Sequence, residues 1–190
     1  MGSVRDGEIM ESWRWGRWSV DREQLRRLRL LEQVPLFAGL GRRYLGTILV
    51  KLFQREYEAG EIIFLAGEPG KALYIVLDGT VLIYHQINGQ EHPVATVAPG
   101  SYFGELALID TLPRTASARA EEPSRLLIFY KSHFDQLVEG RSTIALTVMG
   151  NLLKTMAGYV RGVTGRLGDG AGAPLQDSGL PPSPKVRVED

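Results

Sequence analysis

The 190-residue sequence contains no cysteine, and this absence excludes disulfide bonds and thiolate metal sites. No apolar run approaches the ~18 residues that a membrane-spanning helix needs, and no signal-peptide pattern opens the sequence. Lysine plus arginine and aspartate plus glutamate each total 22, so the formal net charge is zero and no global field attracts nucleic acid. These absences predict a soluble cytoplasmic protein, and the length suits one domain with one hydrophobic core.

The sequence has few residues suited to catalysis. His85 and His92 flank the Asn88-Gly89 turn, with Glu91 nearby, so a two-residue loop would bring two imidazoles together as metal ligands. This pair keeps open a cupin-like metal-dependent enzyme, although such enzymes have a denser ligand set, and solvated hairpin histidines are the alternative. His133 stands alone, and no nucleophile–base pair or phosphate-binding lysine loop is present. We therefore expect neither an enzyme nor a metal or cofactor.

Two neighbouring segments, FGELAL at 103–108 and PRTASA at 113–118, form the most informative pattern. Gly104 opens a short turn of helix whose free backbone N–H groups can hold an anion. Arg114 can return to the same point, and its guanidinium fork fits two phosphate oxygens. A carboxylate beside an anion is repelled unless it has a donor of its own, which a ribose hydroxyl supplies. Glu105 and Arg114 together therefore imply a nucleotide.

These segments resemble the cyclic nucleotide-binding domain of catabolite activator proteins, regulatory subunits of cyclic-AMP-dependent protein kinase and nucleotide-gated channels. Over about residues 30–160, further similar motifs are LEQVPLF at 31–37, AGEII at 59–63, GEPG at 67–70 and LYIVLDGTV at 73–81. In that family the glutamate binds the ribose 2′-hydroxyl, the arginine binds the cyclic phosphate, and backbone N–H groups complete the site. The resemblance implies these roles for Glu105 and Arg114, with backbone donors at Gly104, Leu106, Ala107, Thr115 and Ala116.

The resemblance also implies where the base lies. Ile83 and Ala95 would line the barrel side, and a residue between Met149 and Tyr159 would cap the base from a C-terminal helix. The Thr115 hydroxyl can reach the phosphate or a guanine amino group, but one such bond contributes only about 0.5–1.5 kcal/mol. The ligand is therefore cyclic AMP or cyclic GMP, with cyclic AMP slightly favoured.

The middle of the sequence predicts a mainly β fold with flanking α-helices. Asp78-Gly79 and Asn88-Gly89 mark turns between short segments rich in β-branched and aromatic residues. We predict strands near residues 61–64, 72–77, 80–86, 92–97, 101–103, 116–120 and 124–129. This spacing is typical of a double-stranded β-helix, or jelly-roll, barrel.

Amphipathic patterns predict helices on both sides of the barrel. Residues 21–33 and 42–53 carry apolar side chains on one helical face, and these helices precede the barrel. A short helix at 132–138, with Ser132 as its N-cap, and a long C-terminal helix at 142–163 follow it.

The long helix carries six apolar residues at spacings of 4, 3, 4, 3 and 4, as in a coiled-coil seam: Ala145, Met149, Leu152, Met156, Tyr159 and Val163. This seam either pairs two copies of the chain as a homodimer or packs on the chain's own barrel. Gly150 and Gly158 weaken the coiled-coil interpretation.

The ends of the chain differ in composition from the domain at 21–163. The extension at 1–20 holds all three tryptophans among arginines, and residues 13–18 can dock a partner, lie on a membrane or fold back onto the domain. The Gly/Pro-rich tail at 164–190 cannot bury a core and is predicted to be disordered. It has no room for a helix-turn-helix domain, so we expect no DNA binding.

The residues together predict a non-catalytic cyclic-nucleotide-binding regulatory module. If a closed position of the helix at 142–163 adds contacts to the base, nucleotide shifts the helix toward that position. The signal would pass to a second subunit or an unidentified protein effector. The main alternative is a ligand-free scaffold or interaction domain of the same fold, which would ignore nucleotide.

Overall fold

A computed structural model describes residues 22–140 and 142–169. Its strands are β1 Phe53–Tyr57, β2 Ile62–Phe64, β3 Ala72–Asp78, β4 Val81–Ile87, β5 Gln90–Val97, β6 Tyr102–Phe103, β7 Ser117–Ala120 and β8 Ser124–Tyr130. They form two antiparallel four-stranded sheets, with strand orders β1-β8-β3-β6 and β2-β7-β4-β5. This arrangement of two sheets with flanking helices confirms the predicted jelly-roll-like fold.

Helices lie before and after the strands. They are α1 at 22–33, a 3-10 turn at Pro35–Phe37, α2 Arg42–Leu49, α3 Leu106–Ile109, α4 Lys131–Glu139 and α5 Thr143–Asp169. In the described part of the chain, none of these helices is long and apolar enough to span a bilayer.

The central strands of the first sheet are buried on both faces. On β3, Leu73, Ile75 and Leu77 pack with the helices, whereas Tyr74 and Val76 pack in the cluster that joins the two sheets. Side chains alternate between faces along a strand, so this continuous apolar run requires cover on both sides. The helices flanking the strands supply that cover on the outer face and so fix α5 against the first sheet.

The connection at 104–116 crosses from one sheet to the other. It begins after β6 in the first sheet and ends at β7 in the second. Pro69 and Pro113 form an isolated antiparallel bridge, and the Arg114 N–H donates to the Glu68 carbonyl oxygen at 2.8 Å. These contacts hold the connection against the GEPG segment at 67–70.

All seven predicted strands are present, with ends that differ by at most two residues. The predicted helix at 42–53 is wrong in its last four residues, because α2 ends at Leu49 and Phe53 begins β1, a strand that was not predicted. β1 pairs along one edge with β8. Its side chains are exposed except for Tyr57, so it lacks the alternation that indicates a strand.

Two predicted helix ends also need correction. Ser132 is not the N-cap of α4, because β8 runs directly into the helix and Tyr130 holds the N-cap position with an extended backbone. Helix α5 starts at Thr143, one residue after the predicted start, and the Ser142 hydroxyl accepts a hydrogen bond from the Ile144 N–H at 3.1 Å. It continues to Asp169, so residues 164–169 of the predicted tail are helical. The predictions for 1–20 and 170–190 lie outside the described residues.

Candidate ligand-binding site

A cavity of about 400 Å³ lies between β4, β5, the connection at 104–116 and the C-terminal half of α5. This volume is in the range of small-molecule sites. All nine residues predicted to bind the ligand line it: Gly104, Glu105, Leu106, Ala107, Arg114, Thr115, Ala116, Ile83 and Ala95. The structure therefore brings the predicted residues together around one space.

The Arg114 guanidinium is held by backbone carbonyls at the cavity wall. Its Nη1 donates to the Gly104 oxygen at 3.1 Å, and its Nη2 donates to the Ala72 oxygen at 2.7 Å. Its Cζ atom lies 4.1 Å from the Phe64 ring centroid, a cation–π contact. A guanidinium has five N–H donors, so these two carbonyls do not exhaust it.

Among the residues that the structure describes, Arg114 forms no salt bridge with a carboxylate. Burial lowers the pKa of Arg114, and the nearby Tyr74 and Glu105 act in the opposite direction. Arginine stays protonated in proteins, so the cavity wall carries a positive charge without a paired anion. A partly buried cation in this position favours an anionic ligand.

Gly104 is required by the position of Arg114. Its φ of +73° lies in the left-handed region that side chains disfavour. A Cβ atom there would lie 2.6 Å from Arg114 Nη1 and 3.3 Å from the Ala72 oxygen. Glycine therefore allows the guanidinium to pack directly on the backbone at the start of α3. In that turn the Ala107 N–H donates to the Gly104 oxygen at 3.3 Å, and the Leu108 N–H donates to the Glu105 oxygen at 3.0 Å.

Glu105 is buried, with 8% of its surface exposed, and it contacts α5. The Tyr159 hydroxyl donates a hydrogen bond to Glu105 Oε1 at 3.0 Å. Burial raises the pKa of Glu105, while its own backbone N–H, Tyr159 and Arg114 oppose this rise. Burial and the Glu105 charge raise the pKa of Tyr159, so the phenol remains a neutral donor. Glu105 is thus the point where the cavity and α5 meet.

The predicted seam of α5 packs mainly on the chain itself. Ala145 and Leu152 are buried in the core with the other helices. Tyr159 lines the cavity, and Met149 is 44% exposed. The structure therefore favours the second interpretation of the seam, packing on the same chain; the Val163 side chain lies outside the described set.

Four polar residues that line the cavity were not among the predicted ligand-binding residues: His85, Tyr102, Asp110 and Tyr159. Tyr159 was assigned to the seam, and it also ends the stretch of helix from Met149 that was expected to supply a cap for the base; periodicity identifies an apolar face but not what covers it. His85 was treated as a hairpin residue, yet it lines the cavity. The predicted pairing of His85 with His92 is correct, because the two residues lie directly opposite each other on β4 and β5.

The dense ligand set of a cupin-like enzyme is not found in the described part of the chain, where no three or more histidine, aspartate or glutamate side chains cluster. His133 lies apart from the cavity, with Nδ1 3.1 Å from the Lys51 carbonyl oxygen.

Comparison with known proteins agrees with the resemblance. Residues 54–141 match the family model of the cyclic nucleotide-binding domain. The cyclic AMP receptor protein of Thermus thermophilus is 36% identical over 112 residues, which cover 58% of this chain and 52% of that protein. A cAMP-dependent protein kinase regulatory subunit of Emericella nidulans is 33% identical over 134 residues, which cover 64% of this chain and 32% of that protein.

The fold is also shared with a solved structure. The regulatory domain of Toxoplasma gondii PKA, crystallised with cAMP, has a TM-score of 0.59 at 29% identity, and the match covers 70% of this chain and 51% of that chain. Residues 54–141 therefore form a domain that matches the cyclic nucleotide-binding domain family. The alignments span about half of the receptor protein and about a third of the kinase subunit.

The burial of Glu105 predicts a pH-dependent effect of Glu105→Gln on stability. A raised pKa in the folded state means that stability is lost as pH rises and the buried carboxyl ionises. Glutamine keeps an oxygen that accepts from Tyr159 but never ionises. We expect Glu105→Gln to gain stability relative to the original chain as pH rises from about 4 to about 8.

Urea unfolding at both pH values measures this difference. Glu56→Gln, at an exposed carboxylate on β1, controls for the loss of one negative charge. A stability difference between Glu105→Gln and the original chain that stays constant with pH, or falls, contradicts the prediction.

Proposed function

We propose that this chain is a non-catalytic sensor of cyclic nucleotides, with cyclic AMP favoured over cyclic GMP. The observation that carries the proposal is the Arg114 guanidinium, which pairs with no carboxylate among the described residues and lies in a cavity that also contains the buried Glu105 side chain. A plain phosphate site would avoid such a carboxylate, whereas a sugar hydroxyl can donate to it. The names of the relatives, which include cyclic AMP, support the choice of this ligand.

In the proposed complex, the cyclic phosphate lies on Arg114 and on the N–H groups at the start of α3. The ribose 2′-hydroxyl donates to Glu105. With these two ends fixed, the base extends toward Ile83 and Ala95 on the second sheet, and Tyr159 faces it from α5. No group in this arrangement attacks or protonates the ligand, so binding without turnover is its expected chemistry.

The output of the sensor would be a change in α5. The Tyr159 hydroxyl and the ribose hydroxyl both require Glu105 as an acceptor, so ligand binding changes the contact that holds this part of the helix. Two turns earlier on α5, Asn151 Nδ2 donates to the carbonyl oxygens of Leu36 and Ala38 at 3.0 and 2.9 Å. These bonds tie the helix to the 3-10 turn and extend the effect to the N-terminal helices. Differential contacts of this kind typically give about 1–3 kcal/mol of coupling.

A second copy of the chain is the partner we propose for α5. Leu146, Leu153 and Val160 recur every seven residues and are 70%, 69% and 63% exposed. This exposed stripe differs from the predicted seam, which is largely covered by the chain itself. Because two identical helices carry the same stripe, they can bury it against each other around a twofold axis.

A ligand-free scaffold is the second candidate function, and titration with nucleotide separates the two. We expect the original chain to bind cyclic AMP and cyclic GMP in calorimetric titrations. Arg114→Gln should weaken binding by about 100-fold, since charged hydrogen bonds of at least about 1.5 kcal/mol each are lost. Arg119→Gln is the matched control, because Arg119 pairs with Glu91 and does not line the cavity.

Urea unfolding of each variant tests whether that variant keeps the fold of the original chain. If the original chain binds neither nucleotide, the result supports the ligand-free scaffold instead. Equal affinity in Arg114→Gln and Arg119→Gln removes the role of Arg114.

The exposed stripe predicts that Leu153→Glu shifts the chain from dimer to monomer, because burying a charge at the centre of the stripe is costly without an opposite charge beside it. Light scattering across a range of concentrations measures the mass. Lys154→Glu, one position away and off the stripe, should leave the dimer intact. A monomeric original chain at high micromolar concentration contradicts the proposed partner.

A further inference from the structure

His85 lies in the wall of the cavity on the second sheet. It is half-buried and shares a strand face with Ile83, since residues two apart on a strand point to the same side. The last pair between β4 and β7 joins Tyr84 to Ser117. His85 is therefore the next residue of β4 beyond the end of β7, beside the point where the chain passes through Ala116.

The imidazole of His85 has unused hydrogen-bonding capacity. Within residues 22–140 and 142–169, neither of its ring nitrogens has a hydrogen-bond partner. Under the proposed function, Arg114 and Glu105 take the phosphate and the ribose, and the Asp110 carboxylate, which also lines the cavity, accepts a hydrogen bond from the Leu112 N–H at 3.1 Å. The neighbouring wall, formed by Ile83, Ala95 and Val97, is apolar. His85 thus places a single polar group on an otherwise apolar surface.

The position of the base follows from the proposed function, on which this step rests. Once Arg114 holds the phosphate and Glu105 the ribose, the base extends toward the β4–β5 wall. A purine presents an acceptor at N7 and a donor or acceptor at its 6-position. A neutral imidazole carries one donor and one acceptor, so it can pair with either edge group.

We propose that His85 recognises the polar edge of the purine base by a direct hydrogen bond and is a specificity-determining residue of the site. The apolar residues around it select for a flat ring but not for its substituents. The hydrogen bond from His85 then distinguishes purines by the polar atoms at the edge of the ring. Losing this hydrogen bond leaves no buried charge without a partner. Replacing His85 should therefore change the preference among bases more than the stability of the fold.

His92 provides a matched control. It lies directly opposite His85 on β5, and directly paired residues share a face of the sheet. However, it is exposed and is not among the residues that line the cavity. The two histidines therefore differ in the one property that the proposal uses, contact with the cavity.

The test is a calorimetric titration of the original chain, His85→Leu and His92→Leu with three nucleotides. The probes are cyclic AMP, its analogue without the 6-amino group and its 7-deaza analogue, which lacks the N7 acceptor. We expect the original chain and His92→Leu to bind cyclic AMP about 3- to 10-fold more tightly than at least one analogue, the range of one neutral hydrogen bond. In His85→Leu this ratio should fall to about 1.

The outcomes separate this inference from the proposed function. Equal weakening of all three nucleotides by His85→Leu overturns it, because the imidazole then acts on the phosphate, the ribose or the fold. An unchanged ratio in His85→Leu overturns it as well. Binding of no cyclic nucleotide by the original chain overturns the proposed function together with this inference.

A second variant guards against a folding defect in His85→Leu. His85→Gln keeps a donor and an acceptor and should retain part of the discrimination, measured with the same three nucleotides. If His85→Leu does not fold, His85→Ala replaces it in the comparison. A ratio of about 1 in His85→Gln together with a wild-type ratio in His85→Ala would contradict the proposal.

Discussion

The Arg114 guanidinium, held between the Gly104 and Ala72 carbonyl oxygens, is the interaction on which the rest of the site depends. The guanidinium packs on the backbone at Gly104, where only a glycine with positive φ leaves room for it. Gly104 also begins the turn into α3. The Phe64 ring covers one face of the guanidinium. Because no carboxylate of the described residues pairs with it, the fold holds a positive charge at the cavity wall, where an anion is favoured.

Glu105 gives the same cavity a connection to the rest of the molecule. A buried carboxylate is unfavourable without donors, and here α5 supplies one through Tyr159. The helix also packs in the main core and bonds to the 3-10 turn through Asn151. A ligand that donates to Glu105 therefore acts on a helix that is fixed at one end and bound to the site near the other. This arrangement is the physical basis of the proposed signal.

Gly104, Glu105 and Arg114 could be identified from the sequence because their chemistry is concentrated in two short segments. The other predicted cavity residues were implied by the resemblance to a known family. The strands were predictable where apolar runs are bounded by turns, as in β3 and β4. β1 was missed because its exposed side chains show no alternation. Periodicity located the predicted seam of α5 but left open what covers it, because this helix has two apolar faces. His85 was overlooked because only the pairing of β4 with β5 and β7 shows that it reaches the cavity.

The central claim is that Arg114 and Glu105 hold the two ends of one sugar-phosphate ring. The most direct measurement compares the affinities of cyclic AMP and 2′-deoxy cyclic AMP for the original chain and for Glu105→Ala. The account predicts a preference for the ribose form of at least about 10-fold in the original chain, as expected for a hydrogen bond to a charged group, and its loss in Glu105→Ala. Equal affinity of the original chain for the two nucleotides would contradict it.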